Sequence, residues 1–275
     1  MTDMTFLELL PILVGVVATA ILAGIMAGLL GVGGGIVLVP VLFWILSLTD
    51  FPPELTMHMA VATSLATIIF TSVSSARAHY KRGGVDTNLL KLWGPGLVLG
   101  ALSGGLAAKY IDASGLKLIF GGIALLVSIN MATPKTLVLS DHMPKSRGIN
   151  VAISYVVGGF SSLMGIGGGT LSVPILSAFS FEIRRAVGTA SAFGILIAIP
   201  AVIGFVVSGM GTPDRPPFSL GFVSVPAALL ILPFTVSFAP VGAALAHKLD
   251  GKWIKRAFAV FLAITAFRML SSALT

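Results

Sequence analysis

Cysteine is absent from the 275 residues, which excludes disulfides, thiolate metal sites and cysteine nucleophiles. Charge is nearly as scarce. Only 10% of the residues are charged and 56% are hydrophobic, whereas soluble domains carry about 25% charged residues. With a mean hydropathy of +1.03 the chain is no water-soluble globule. A membrane helix takes roughly 20 apolar residues, so the length allows at most about nine or ten crossings and no separate soluble domain. The acids are few and peripheral: Asp3, Glu8, Asp50, Glu54, Asp86, Asp112, Asp141, Glu182, Asp214 and Asp250 all lie at ends or loops of the apolar runs. A buried carboxylate proton relay, or a cation site built on acids, has no residues to use.

What is present is a series of apolar stretches, 9–47, 59–76, 92–108, 118–133, 149–181, 186–210, 220–246 and 257–274. The first is too long for a signal peptide and has no positive region before it, so it is expected to stay in the mature protein. Thirteen of the 17 Lys and Arg residues fall in four clusters, at 77–91, 135–147, 184–185 and 248–256. The positive-inside rule makes these clusters cytoplasmic, so the net charge of +7 reports orientation and needs no nucleic acid partner. Threading them in order makes 9–47 and 149–181 each return to the side from which they start. Each is then a re-entrant pair of half-helices or two short crossings, and both termini are expected outside the cytoplasm.

The halves resemble each other. Gly31-Val-Gly-Gly-Gly35, with Pro40, matches Gly165-Ile-Gly-Gly-Gly169, with Pro174, without a gap. Farther on, Thr63 lies opposite Thr189, and Gly104 to Asp112 opposite Gly242 to Asp250. One copy is entered from outside and the other from inside, which reads as an inverted repeat, a plan used by secondary transporters. The expected architecture is an all-α polytopic membrane protein of eight to ten segments. Residues 1–134 and 149–275 form the two repeats and 135–148 a cytoplasmic linker; each repeat opens with a Gly-rich broken-helix hairpin followed by three helices.

Glycine costs a helix about 1 kcal/mol relative to alanine, so three in a row are expected to break it. The half-helices that follow would aim free amides near Gly34 to Val37 and Gly168 to Leu171, with their positive dipole ends, at the midplane. That is an anion site made without a charged side chain. The candidate binding residues are Gly33, Gly34, Gly35, Gly167, Gly168, Gly169 and Thr170, with the hydroxyls of Thr63, Ser64, Thr189 and Ser191. The competing reading is close helix packing for the glycines, which suits Gly100, Gly104, Gly105, Gly121 and Gly122, and back-bonding for the hydroxyls, Thr67 included. No Lys-Ser or Lys-Thr follows the glycines, against a nucleotide loop. His58 and His79 read as interfacial polar residues, and the four scattered histidines disfavour a metal site. Arg268 is expected to snorkel outward. No cofactor is expected.

Through the two glycine motifs with Pro40 and Pro174, through Ala62-Thr63-Ser64 and through His79-Tyr-Lys-Arg-Gly83, nearly the whole chain resembles the TauE/SafE family of sulfite exporters. The resemblance implies a bacterial-type inner-membrane carrier that moves sulfite, organosulfonates or related sulfur-containing anions, usually outward. Two positions depart from the repeat: Ala190 stands opposite Ser64, and Phe205 opposite His79. Besides a transporter, the residues fit an anion channel or a membrane assembly partner that transports nothing; a homo-oligomer is compatible with each. Single cysteines at Asp3, Asp50 and Asp214 are expected to react with an impermeant thiol reagent in intact cells, and those at Asp86, His142 and Asp250 not to. Labelling at His142 would overturn the threading.

Overall fold

The structure, a computed structural model, describes residues 6–48, 51–133, 139–246, 248 and 251–274. In order they form α1 (Phe6–Leu30), α2 (Gly35–Ser47), α3 (Pro53–Tyr80), α4 (Thr87–Ala107) with a 3-10 turn at Ala108–Tyr110, and α5 (Ala113–Ala132). Then come α6 (Arg147–Leu163), α7 (Gly169–Ala178), α8 (Ile183–Gly209), a hairpin of β1 (Ser219–Leu220) and β2 (Val223–Ser224), α9 (Val225–Ala246) and α10 (Gly251–Leu274). Among the described residues six helices, α1, α3, α4, α5, α8 and α9, are long and apolar enough to cross a membrane. This is an all-α polytopic membrane protein. At 13 and 10 residues, α2 and α7 reach only about 20 and 15 Å at 1.5 Å per residue, well short of a bilayer's hydrocarbon core.

Local chemistry sets the helix starts. Asp86 accepts from the amides of Asn88 and Leu89, both at 3.0 Å, to open α4, and Asp112 accepts from Gly115 at 2.8 Å to open α5. Pro53 occupies the first position of α3, where its missing N–H costs nothing. The run expected to be helical from Leu220 begins instead as the hairpin. Gly221 has φ +57°, and Leu220 pairs with Val223. Phe222 and Val223 are buried, so this apolar stretch faces protein.

The helices pack in reciprocal pairs. α1 lies along α9 and α6 along α4; α3 lies against α9 and α8 against α4; α3 contacts α8, and α5 contacts α10. Exchanging the first five helices for the last five maps this set onto itself. Small residues bring the axes together, as membrane helices require where lipid offers no hydrophobic gain for association. A methyl on Gly242 of α9 would land on the carbonyl of Ile25 in α1, and one on Gly28 on that of Ala239. Equally, Gly100 of α4 abuts the carbonyl of Tyr155 in α6, and Gly158 that of Leu97. Packing accounts for Gly104, Gly105 and Gly121 in the same way, but Gly122 faces open space. At the core Trp93 is fully buried, stacks on Phe193 at 5.4 Å and donates to Asn150 Oδ1 at 3.1 Å. Gly100→Ala or Gly242→Ala is expected to cost about 1 to 3 kcal/mol through overpacking, and Gly122→Ala nothing, as read by thermal unfolding in detergent.

Candidate functional site

The first break spans the gap between α1 and α2. Gly31, Gly33 and Gly34 take φ of +69°, +73° and +83°, a region that side chains rarely enter. Gly34 caps α2 without a side-chain hydrogen bond, and Ile36 and Val37 behind it are buried. The amides of Val37 and Leu38 both reach the Gly34 carbonyl at 3.1 Å. Val37 is therefore not among the free donors expected there, because the first turn tightens to satisfy it. The second break is built differently. Only Gly165 has positive φ, +68°, while Gly168 sits at −57° and −23°, a helical conformation open to any residue. In the first copy Gly33 and Gly34 are thus demanded by conformation and Gly35 by close approach; in the second, close approach demands all three of Gly167, Gly168 and Gly169.

What they approach is each other. The Gly167 N–H donates to the Val32 carbonyl at 2.9 Å, and a methyl on Gly33 would stand 3.2 Å from Gly167 Cα. A methyl on Gly35 would fall on the Gly165 carbonyl, and one on Gly169 on the Gly31 carbonyl. The relation is reciprocal, and extends to the long helices: Gly31 abuts the carbonyl of Val187 in α8, Gly165 that of Val61 in α3. Ser64 Oγ donates to the Gly165 carbonyl at 2.8 Å. The N-termini of α2 and α7, with their positive dipole ends, therefore start at one crossing point. Thr170, in the first turn of α7, is 2% exposed, and its Oγ1 has no hydrogen-bond partner among the described residues.

The other candidates lie elsewhere. A methyl on Gly34 would stand 2.7 Å from the Ala23 carbonyl of α1, and one on Gly168 2.7 Å from the Phe193 Cβ of α8, so both seat the breaks against neighbouring helices. Thr63 Oγ1 accepts the Ser224 N–H at 2.9 Å, and Thr189 Oγ1 the Asp86 N–H at 2.9 Å. Each threonine braces the turn into a helix of the other half, α9 and α4 respectively. Ser191 donates to Val187 O at 3.1 Å, receives Ser75 Oγ at 3.1 Å, and lies beside Gly31. Thr67 bonds back to the Ser64 carbonyl at 2.7 Å, a local role.

The sequence matches the family model "Sulfite exporter TauE/SafE" over residues 16–269. The chain belongs to the TauE/SafE sulfite exporter family. A probable membrane transporter protein of Haemophilus influenzae is 36% identical over 253 residues, 90% of this chain and 94% of that protein. One of Methanocaldococcus jannaschii is 27% identical over 270 residues, 98% of each chain. Another, YunE of Bacillus subtilis, is 30% identical over 212 residues, 70% of this chain and 78% of that one. No solved structure matches.

In this TauE/SafE chain His58 and His79, near opposite ends of α3, are both buried against protein. His58 Nε2 lies 3.0 and 2.9 Å from the carbonyls of Ala108 and Ile111, and Nδ1 3.2 Å from that of Glu54. Its ring meets Phe222 of the hairpin at 4.9 Å. His79 Nε2 donates to the Gly28 carbonyl at 2.8 Å. Arg268 stacks over Trp44 at 5.7 Å, and Arg185 pairs with Asp86 at 2.6 Å. Sequence reasoning missed Thr71 and Thr235, whose buried hydroxyls meet at 2.9 Å between α3 and α9. Their signal was the density of Ser and Thr along α3.

Thr189→Val would strand the Asp86 N–H and is expected to cost about 1 to 3 kcal/mol, while Thr189→Ser keeps the acceptor and most of the stability. Thermal unfolding of the two variants in detergent separates these outcomes.

Proposed function

We propose that the protein is a secondary transporter that exports sulfite, an organosulfonate or a related small sulfur-containing anion across the inner membrane. The observation that carries the reading is the meeting of two half-helix N-termini, neither capped by a side chain, at the Gly33 and Gly167 crossing. The opening amides of α2 and α7, joined by the Thr170 hydroxyl, supply donors for oxyanion oxygens with no cation to hold the substrate too tightly. The family's name favours a sulfur oxyanion.

The reciprocal helix pairs suit two repeats; we read these as 1–134 and 149–275, of opposite orientation, joined by 135–148 and with both termini outside. Because Gly35 and Gly169 rest on the opposite break's carbonyls, a path to either side opens as the two breaks part. With the cell interior negative, an anion leaves down a potential worth about 2.3 kcal/mol per unit charge per 100 mV.

Purified protein in liposomes is expected to move sulfite or a short sulfonate saturably under an imposed potential. Gly35→Ala and Gly169→Ala should each lower the flux at least about tenfold, while Gly122→Ala leaves it intact. Absence of flux for all of these anions would sink the reading; single-channel currents would replace the transporter with a channel.

A further inference from the structure

On the outer flank of α3 and α9 lies an open groove of about 740 Å³ that the transport site does not use. Its length is apolar, with Phe70 of α3 facing Leu232 and Pro233 of α9, and one end carries Arg77, Lys81 and Arg82. No acid lines it. We infer that this groove binds an anionic phospholipid, its phosphate against Arg77 and Lys81 and an acyl chain along Phe70 and Leu232.

Three observations favour that occupant. The step from Phe70 to Lys81 spans about 16 Å at 1.5 Å per residue, close to the roughly 15 Å of one leaflet's hydrocarbon depth. The cations stand at one end only, where a headgroup would lie, and the positive-inside rule puts that end on the side whose lipids are anionic. Arg82 folds back to the Ala78 carbonyl at 2.8 Å, which leaves Arg77 and Lys81 to face the groove mouth. The floor is also pinned. Pro240 has no N–H for the Val236 carbonyl one turn earlier, and Ser74 Oγ donates to that carbonyl at 2.9 Å, tying α3 to α9. A soluble anion would gain nothing from the apolar length. A second copy related by a two-fold axis through the groove would set these cations against their own counterparts.

The full chain, purified in detergent and stripped of lipid, is titrated with phosphatidylglycerol or phosphatidylcholine while bound lipid is followed by native mass spectrometry and melting by thermal shift. Phosphatidylglycerol is expected to be retained at least about tenfold better and to raise the melting temperature, and R77Q/K81Q to abolish the difference. Leu232→Trp, which fills the apolar part and keeps every charge, should also lower retention and covers the case in which the double variant fails to fold. Equal retention of phosphatidylcholine, retention unchanged in both variants, or an equal shift from glycerol phosphate alone would overturn the inference. So would a dimer in light scattering that R77Q/K81Q converts to monomer, which would make the groove an interface between copies.

Discussion

Inside a bilayer a peptide group has no water to fall back on, and an unpaired one costs several kcal/mol. Two interruptions of the helical ladder are therefore a hazard unless each supplies what the other lacks. Here a main-chain hydrogen bond from the Gly167 amide to the Val32 carbonyl joins the two breaks, and glycines at 33, 35, 167 and 169 leave no Cβ of their own between them. The burial of α2 and α7 follows from this contact. So does the central place of α3 and α8, whose Val61 and Val187 carbonyls form the walls against which Gly165 and Gly31 are pressed.

Reciprocity extends outward from that point. Thr63 holds Ser224 as Thr189 holds Asp86, and the Gly84 amide reaches the His79 carbonyl as the Phe222 amide reaches that of Phe205. At the last of these pairs the halves diverge chemically. His79 is tied to the Gly28 carbonyl, while Phe205 meets Phe222 edge-on at 6.5 Å. A common frame thus carries a polar fastening in one half and an aromatic one in the other.

Much of this frame was legible in the chain because its signals are local. Glycines mark the breaks, and apolar length, bounded by the scarce acids, marks the spans. The hairpin at 219–224 was not legible, since Leu220, Phe222 and Val223 are as apolar as any membrane residue and only Gly221 hints at a turn. The pairing of Thr63 with Thr189 could be read, but not what they hold: their partners lie 161 and 103 residues away along the chain. Nor could two copies of one glycine motif be seen to differ, because positive φ at Gly33 and Gly34 and contact at Gly167 and Gly168 select the same residue. The same limit hid the buried place of His58 and His79, whose acceptors are carbonyls of other segments.

The interleaving of α1 with α9 and of α4 with α6 has a consequence for how the protein is made. A ribosome that has released only the first five helices has delivered Gly28 and Gly100 to the membrane while the helices they fit are still untranslated. Val32 likewise waits for an amide that arrives more than a hundred residues later. The nascent first half must hold its broken helix shielded by lipid, insertase or its own neighbours until α6 and α9 enter. Its vulnerable interval is therefore set by the speed of translation.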